Sequence, residues 1–128
     1  MQAIDRIVDV FQAHQQGQAR AQLASSLLGV VSQRLLPKKG GGLVPAFELM
    51  VATPAIRNLI REAKMHQARG TMETSRRDGM RTMDMALREL YESAQVENED
   101  VLRYLDNPRA IQGPGVTTGG PPRRPGGR

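Results

Sequence analysis

The side chains best placed to do chemistry at another surface are Arg57 and Arg61, four apart in Ala55, Ile56, Arg57, Asn58, Leu59, Ile60, Arg61, Glu62. At 100° per residue a helix over this octapeptide puts Ile56, Leu59 and Ile60 on one face, with Arg57, Asn58, Arg61 and Glu62 on the other. Like charges at i, i+4 disfavour an isolated helix by about 0.2–0.5 kcal/mol, and Arg57 sits near the positive helix end. Local energetics therefore do not select the pair. An acidic or carbonyl-rich surface across a domain or subunit boundary would, because guanidinium groups make forked hydrogen bonds there; a plain solvated face is the other reading. Either way the apolar face, not the arginines, is expected to carry stability.

Other chemistries lack their residues. A phosphate loop needs G-x-x-x-x-G-K-[ST], whereas Gly40, Gly41 and Gly42 run into Leu43 and Val44 and read as a hairpin turn. His14 and His66 are the only histidines, and neither has a carboxylate at H-E-x-x-H spacing. Cysteine is absent, no serine occupies a G-x-S-x-G elbow, and the scattered Asp and Glu read as solvated helix faces. No catalytic residue, cofactor or metal is expected in this chain. Five of the seven methionines fall between Met65 and Met85; Met83 reads as core, while Met65, Met72 and Met80, with few large apolar neighbours, read as an adaptable interface.

The elements that must hold the octapeptide follow from periodicity. Ile4, Ile7, Val8 and Phe11 form one helical stripe, with Asp5, Arg6 and Asp9 turned to water; a second helix from Gln18 carries Leu23, Leu27 and Leu28 as far as Gly29. Val30 to Leu36 and Leu43 to Ala52 form a β-hairpin, the second strand setting Leu43, Phe47, Leu49 and Val51 on one side. Pro45 requires an edge position or an amide that faces away from the ladder. Thr53 and Pro54 cap and open the octapeptide's helix. A break near Gly70, a stretch ended by Gly79, a helix with Met83, Leu87, Leu90 and Tyr91, and a last helix capped by Asn98 complete the order. Two helices, a hairpin and four helices make an α+β fold.

With 128 residues, the chain supports one core and not two. Ten of the sixteen residues in 113–128 are Gly or Pro, a composition expected to be disordered. Arg123, Arg124 and Arg128 lie there, so residues 1–112 carry 15 of the 18 basic side chains against 13 acidic ones. The basic tail alone supports a small nucleic-acid binder; Phe11, Phe47, Tyr91 and Tyr104 all fall outside its arginines, so no specific nucleic acid is expected. Absence of cysteine fits a reducing compartment, and no segment approaches about 18 apolar residues. A cytoplasmic location without membrane insertion is expected.

Residues 3–11 (AIDRIVDVF), 23–37 (LASSLLGVVSQRLLP), 44–67 (VPAFELMVATPAIRNLIREAKMHQ), 79–91 (GMRTMDMALRELY) and 99–108 (EDVLRYLDNP) together resemble the type IV pilus retraction ATPases, the PilT family of the type II/IV secretion ATPase superfamily. AIRNLIRE, residues 55–62, is the most specific piece. The resemblance covers nearly all of residues 1–112 and is to the family's C-terminal part. It implies closing elements of a RecA-like core over 1–52, a helical C-terminal region over 53–112 and a tail over 113–128. The implied role is in a homohexameric motor at the inner face of the cytoplasmic membrane, where hydrolysis drives pilin disassembly and twitching motility with the pilus inner-membrane platform as partner. ATP, magnesium, the Walker segments and the histidine box would belong to the complete motor, upstream of Ala3. The alternative is a non-catalytic truncated paralogue that joins or regulates a complete hexamer. Glu73, Ser75 and Asp78 depart from the family pattern, all in one helical stretch, as does Gln12-Ala13 where proline is usual; Glu97 replaces a typical serine cap.

Overall fold

Alternation and helical periodicity each leave a choice of face, and packing makes that choice here. The structure, a computed structural model, describes residues 2–108; the tail expected over 113–128 lies outside the described residues. Helix α1 spans Gln2–Asp9 and buries Ile4 and Val8, but Ile7 and Phe11 of the same stripe are exposed. A 3-10 turn, Ala13–Gln15, leads into α2, Gln16–Ser26. Its buried residue is Ala24; Leu23 and Leu27 are half-buried and Leu28 is exposed.

Strands β1, Gly29–Pro37, and β2, Leu43–Val51, pair antiparallel through nine residue pairs, from Gly29↔Val51 to Pro37↔Leu43. Gly40, Gly41 and Gly42 all have positive φ, which the turn demands. Gly29 is required for a second reason: a Cβ there would lie 2.8 Å from the Met50 carbonyl oxygen. The apolar side chains expected inside β2 are not the ones packed. Ala46 and Met50 face the core, whereas Leu43 and Phe47 are exposed and Leu49 and Val51 half-buried, because the helices cover the opposite face of the pleat. Pro45 is accommodated as its chemistry requires. Leu49 exchanges both backbone bonds with Arg81 (2.8 and 2.9 Å), so the odd residues of β2 point their amides away from β1 and Pro45 removes no ladder bond.

Helix α3, Pro54–Arg61, is followed by a 3-10 turn at Met65–Gln67, α4 at Ala68–Thr74, a 3-10 turn at Arg76–Asp78, α5 at Met83–Glu92 and α6 at Asn98–Tyr104. The expected break at Gly70 falls instead at Ala63, in the left-handed region at φ 57°, and Gly70 lies inside α4. Gly79 closes the Arg76–Asp78 turn at φ 84°. In α6 the cap position belongs to Glu97, whose side chain makes no capping bond, and Asn98 is already helical.

Two clusters form, one at each end of the hairpin, where the chain's length pointed to a single core; the hairpin is long enough to hold helices against both of its ends. The first gathers Ile4, Ala24, Met50, Ile56, Ile60, Met65, Ala68, Met72 and Met80. The second gathers Leu36, Ala46, Ala86, Leu87, Leu90, Val96, Val101 and Leu105, with Tyr91 and Tyr104 against it. Met65, Met72 and Met80 are therefore core and not an interface, filling space between short helices that no branched side chain spans as readily. Met83 is half-buried against the second cluster.

Candidate functional site

Thr53 starts the octapeptide's helix: its Oγ1 accepts the Ile56 amide at 3.5 Å, and Pro54 at the first helical position loses no bond. Ile56 and Ile60 are fully buried in the first cluster and Leu59 packs at its margin. Burial of this stripe fixes how α3 rotates, and hence which side chains it presents outward. Ala55, Asn58, Arg61 and Glu62 are exposed.

The two arginines part company. Arg57 is half-buried, and its Nη1 donates to the main-chain carbonyl of Ala24. Ala24 lies in the last turn of α2, where carbonyls lack helical partners and the helix end is negative, so a guanidinium there satisfies an acceptor and complements the dipole. Arg57 thus ties two helices within this chain, on a carbonyl of the kind the sequence pointed to. Arg61 bonds only Asn58 Oδ1 of its own helix, at 3.0 Å, and stays in water. Glu62 accepts from exposed Lys64 at 3.1 Å, an ion pair of little energetic weight. The octapeptide therefore divides into an anchor (Ile56, Arg57, Ile60) and a presented face (Asn58, Arg61, Glu62).

A second polar site was not legible in the sequence. Asp84, in the first turn of α5, is 8% exposed, against the reading of scattered acids as solvated faces. Its Oδ2 accepts from Arg69 Nη2 and from the Asn107 amide at 3.0 Å, and its Oδ1 from the Asp106 amide at 2.9 Å. Arg69 also pairs with Glu73 at 3.3 Å and Asp106 at 3.6 Å. Arg69, Glu73, Asp84 and Asn107 line an open cleft of about 880 Å³ with Arg81, Arg88, Glu89 and Glu92. Arg81 is paired with Glu89, and Arg88 with Glu92 at 2.9 Å, so the cleft's cations are largely neutralised by its own carboxylates. The arrangement fixes α4, α5 and the chain after α6 to one another. An acid two residues after a capping threonine would not by itself have revealed it, since only the tertiary fold brings Arg69 and residues 106–107 to Asp84.

The Gly40–Gly42 turn leads into a strand and not a helix, and two of its neighbouring bonds are internal, Lys38 N–H to Gly42 at 2.9 Å and Gly41 N–H to Lys38 at 3.1 Å. Among the described residues no three His, Cys, Asp or Glu side chains group as a metal site.

The fold is similar to that of a crystal structure of the pilus retraction motor PilT with bound ADP, with TM-score 0.71 and 43% identity over 84% of this chain and 29% of that one. The sequence is 46% identical over 97 residues to the type IV pilus retraction ATPase PilT of Pseudomonas aeruginosa, covering 76% of this chain and 28% of the relative. It is 39% identical over 109 residues to a twitching motility protein of Neisseria gonorrhoeae, covering 84% and 29%. No protein-family model matches the chain. Helices and hairpin in this order are thus those of part of a motor ATPase. More narrowly, the chain belongs to the type IV pilus retraction ATPase (PilT) family, of which it spans less than a third of the matched relatives' length.

Proposed function

We propose that this chain serves as the C-terminal part of a pilus-retraction motor, coupling ATP hydrolysis elsewhere in the assembly to pilin removal and twitching motility. In this reading residues 1–52 close the ATPase core and 53–112 form the helical region. ATP and magnesium are held by the rest of the motor, and no residue of this chain is catalytic. Partners are the other subunits of a homohexamer and the pilus platform at the inner face of the cytoplasmic membrane. Among the described residues no helix is long and apolar enough to cross a membrane, which accords with a peripheral location.

The observation that carries the reading is the division of α3. Ile56 and Ile60 lock the helix, and Arg57 pins it to α2, while Asn58, Arg61 and Glu62 are held outward on a fixed frame. Such a frame suits contact with a moving neighbour, because the backbone that presents these groups is ordered before docking and only their side chains remain to be fixed. The test places Arg61→Ala in a complete motor bearing this segment and scores twitching beside thermal melting. Lost motility with an unchanged melt is the expected result; wild-type motility would reduce the face to solvated surface.

A further inference from the structure

The chain leaves the described fold at the rim of the open cleft. Asp84 accepts the amides of Asp106 and Asn107 at 2.9 and 3.0 Å, and Asn107 itself lines the cleft. Pro108 is the last described residue. Residues 109–128 hold four of the 18 basic side chains, Arg109, Arg123, Arg124 and Arg128, and none of the 13 acidic ones. A segment whose only charges are cations therefore starts from a fixed point beside the cleft.

Charge at that rim is uneven. Arg69 faces three carboxylates: Asp84, Glu73 at 3.3 Å and Asp106 at 3.6 Å. Asp84 is buried and already accepts two amides besides, but the Glu73 and Asp106 side chains are 50% and 74% exposed, and one shared guanidinium leaves lone pairs on both unfilled. Elsewhere the cleft is balanced, Arg81 on Glu89 and Arg88 on Glu92, and exposed Arg76, with no bond among the described residues, repels any cation placed near it. The acidic excess thus lies around Arg69, where the chain departs.

We infer that Arg123 and Arg124 of this chain dock on Glu73 and Asp106 and close that end of the cleft. Both carboxylates touch the same guanidinium, so two adjacent arginines reach both. Arg123 follows Pro108 by fifteen residues, and a Gly-rich spacer of that length spans about 20 Å root mean square, for a local concentration on the order of millimolar. That tether offsets the weakness of exposed ion pairs. A forked guanidinium suits carboxylates that stand apart, whereas a metal ion needs them to converge, which no three among the described residues do. A polyanion would meet the same carboxylates as repulsion. The tail of a second copy has the right chemistry but lacks the tether.

The inference stands apart from the retraction-motor reading, and the full chain tests it. Because the sequence has no cysteine, Gly126→Cys carries a single nitroxide, and its relaxation enhancement is read at the Arg69 and Glu73 amides. With Arg123 and Arg124 present, the enhancement should be at least about threefold that in the same labelled chain bearing Arg123→Gln and Arg124→Gln. It should fall to the neutralised level with Glu73→Gln plus Asp106→Asn, two exposed sites that leave Asp84 in place, and in about 0.5 M salt. Equal enhancement with and without the arginine pair overturns the inference. So does enhancement that survives the two carboxylate substitutions, or that centres on Glu92 instead of Glu73. Enhancement of equal size between nitroxide-bearing chains and separate isotope-labelled chains in a mixture overturns it in favour of a second copy's tail.

Discussion

The two ends of the hairpin hold cores built in different ways. At the Gly29 and Val51 end, the first cluster draws on residues from Ile4 to Met80, so long loops must close before its contacts form. At the turn end, six of the eight second-cluster residues lie between Ala86 and Leu105, and only Leu36 and Ala46 come from the hairpin. Chemistry differs likewise: isoleucine, methionine and alanine in the first, leucine, valine and alanine in the second. The end that carries the candidate site is thus the one assembled from distant segments and fitted with flexible methionines, and the local core serves as its support.

The largest effects should come from cutting each core. Ile60→Ala and Leu87→Ala both remove fully buried side chains and should each cost about 2–5 kcal/mol in denaturant titrations. If the ends are one cooperative unit, both variants shift a single transition; if Leu87→Ala leaves amide protection in α3 intact, the two cores are separable. Asp84→Ala tests the stitch between them. Losing the acceptor for Arg69 and two amides should cost about 1–3 kcal/mol and speed exchange at Asp106 and Asn107 selectively. A uniform loss across both ends would show Asp84 acting on the whole fold.

Smaller effects separate the arginines. Arg57→Ala should cost about 1–2 kcal/mol through the freed Ala24 carbonyl, with Arg57→Lys recovering part of it. Arg61→Ala should shift stability by less than about 0.5 kcal/mol, because its bond to Asn58 is solvated and local. Equal melting temperatures for the two alanine variants would erase the distinction between anchor and presented face.

Local signals were legible in the sequence and relational ones were not. Thr53, Pro54, Gly79 and the three glycines at 40–42 act on their own backbone, and each does what its chemistry dictates. Which face of β2 is buried depends on what packs against it. With Leu43 and Phe47 on one side and Ala46 and Met50 on the other, apolar size pointed to the side the helices leave bare. Ala24 escaped notice for the same reason: a small residue marks a close helix crossing only once the second helix is in place. At the candidate site, helix rotation was readable from Ile56 and Ile60. The fate of Arg57 was not, since its acceptor is a main-chain carbonyl 33 residues earlier.

The shared hairpin also has a mechanical meaning. Met50 reports to one core and Ala46 to the other, separated along β2 by four residues, or about 14 Å of extended backbone. A helix loaded along its axis stretches by exchanging single hydrogen bonds, whereas paired strands pulled lengthwise must shear many at once. Nine cross-strand pairs stand between the two ends. The turn itself is moored to the second core by the Lys39 amide on the Gln95 carbonyl at 2.8 Å. The hairpin is therefore a stiff strut, and a tug on α3 arrives at α5 and α6 as displacement instead of being spent on slack.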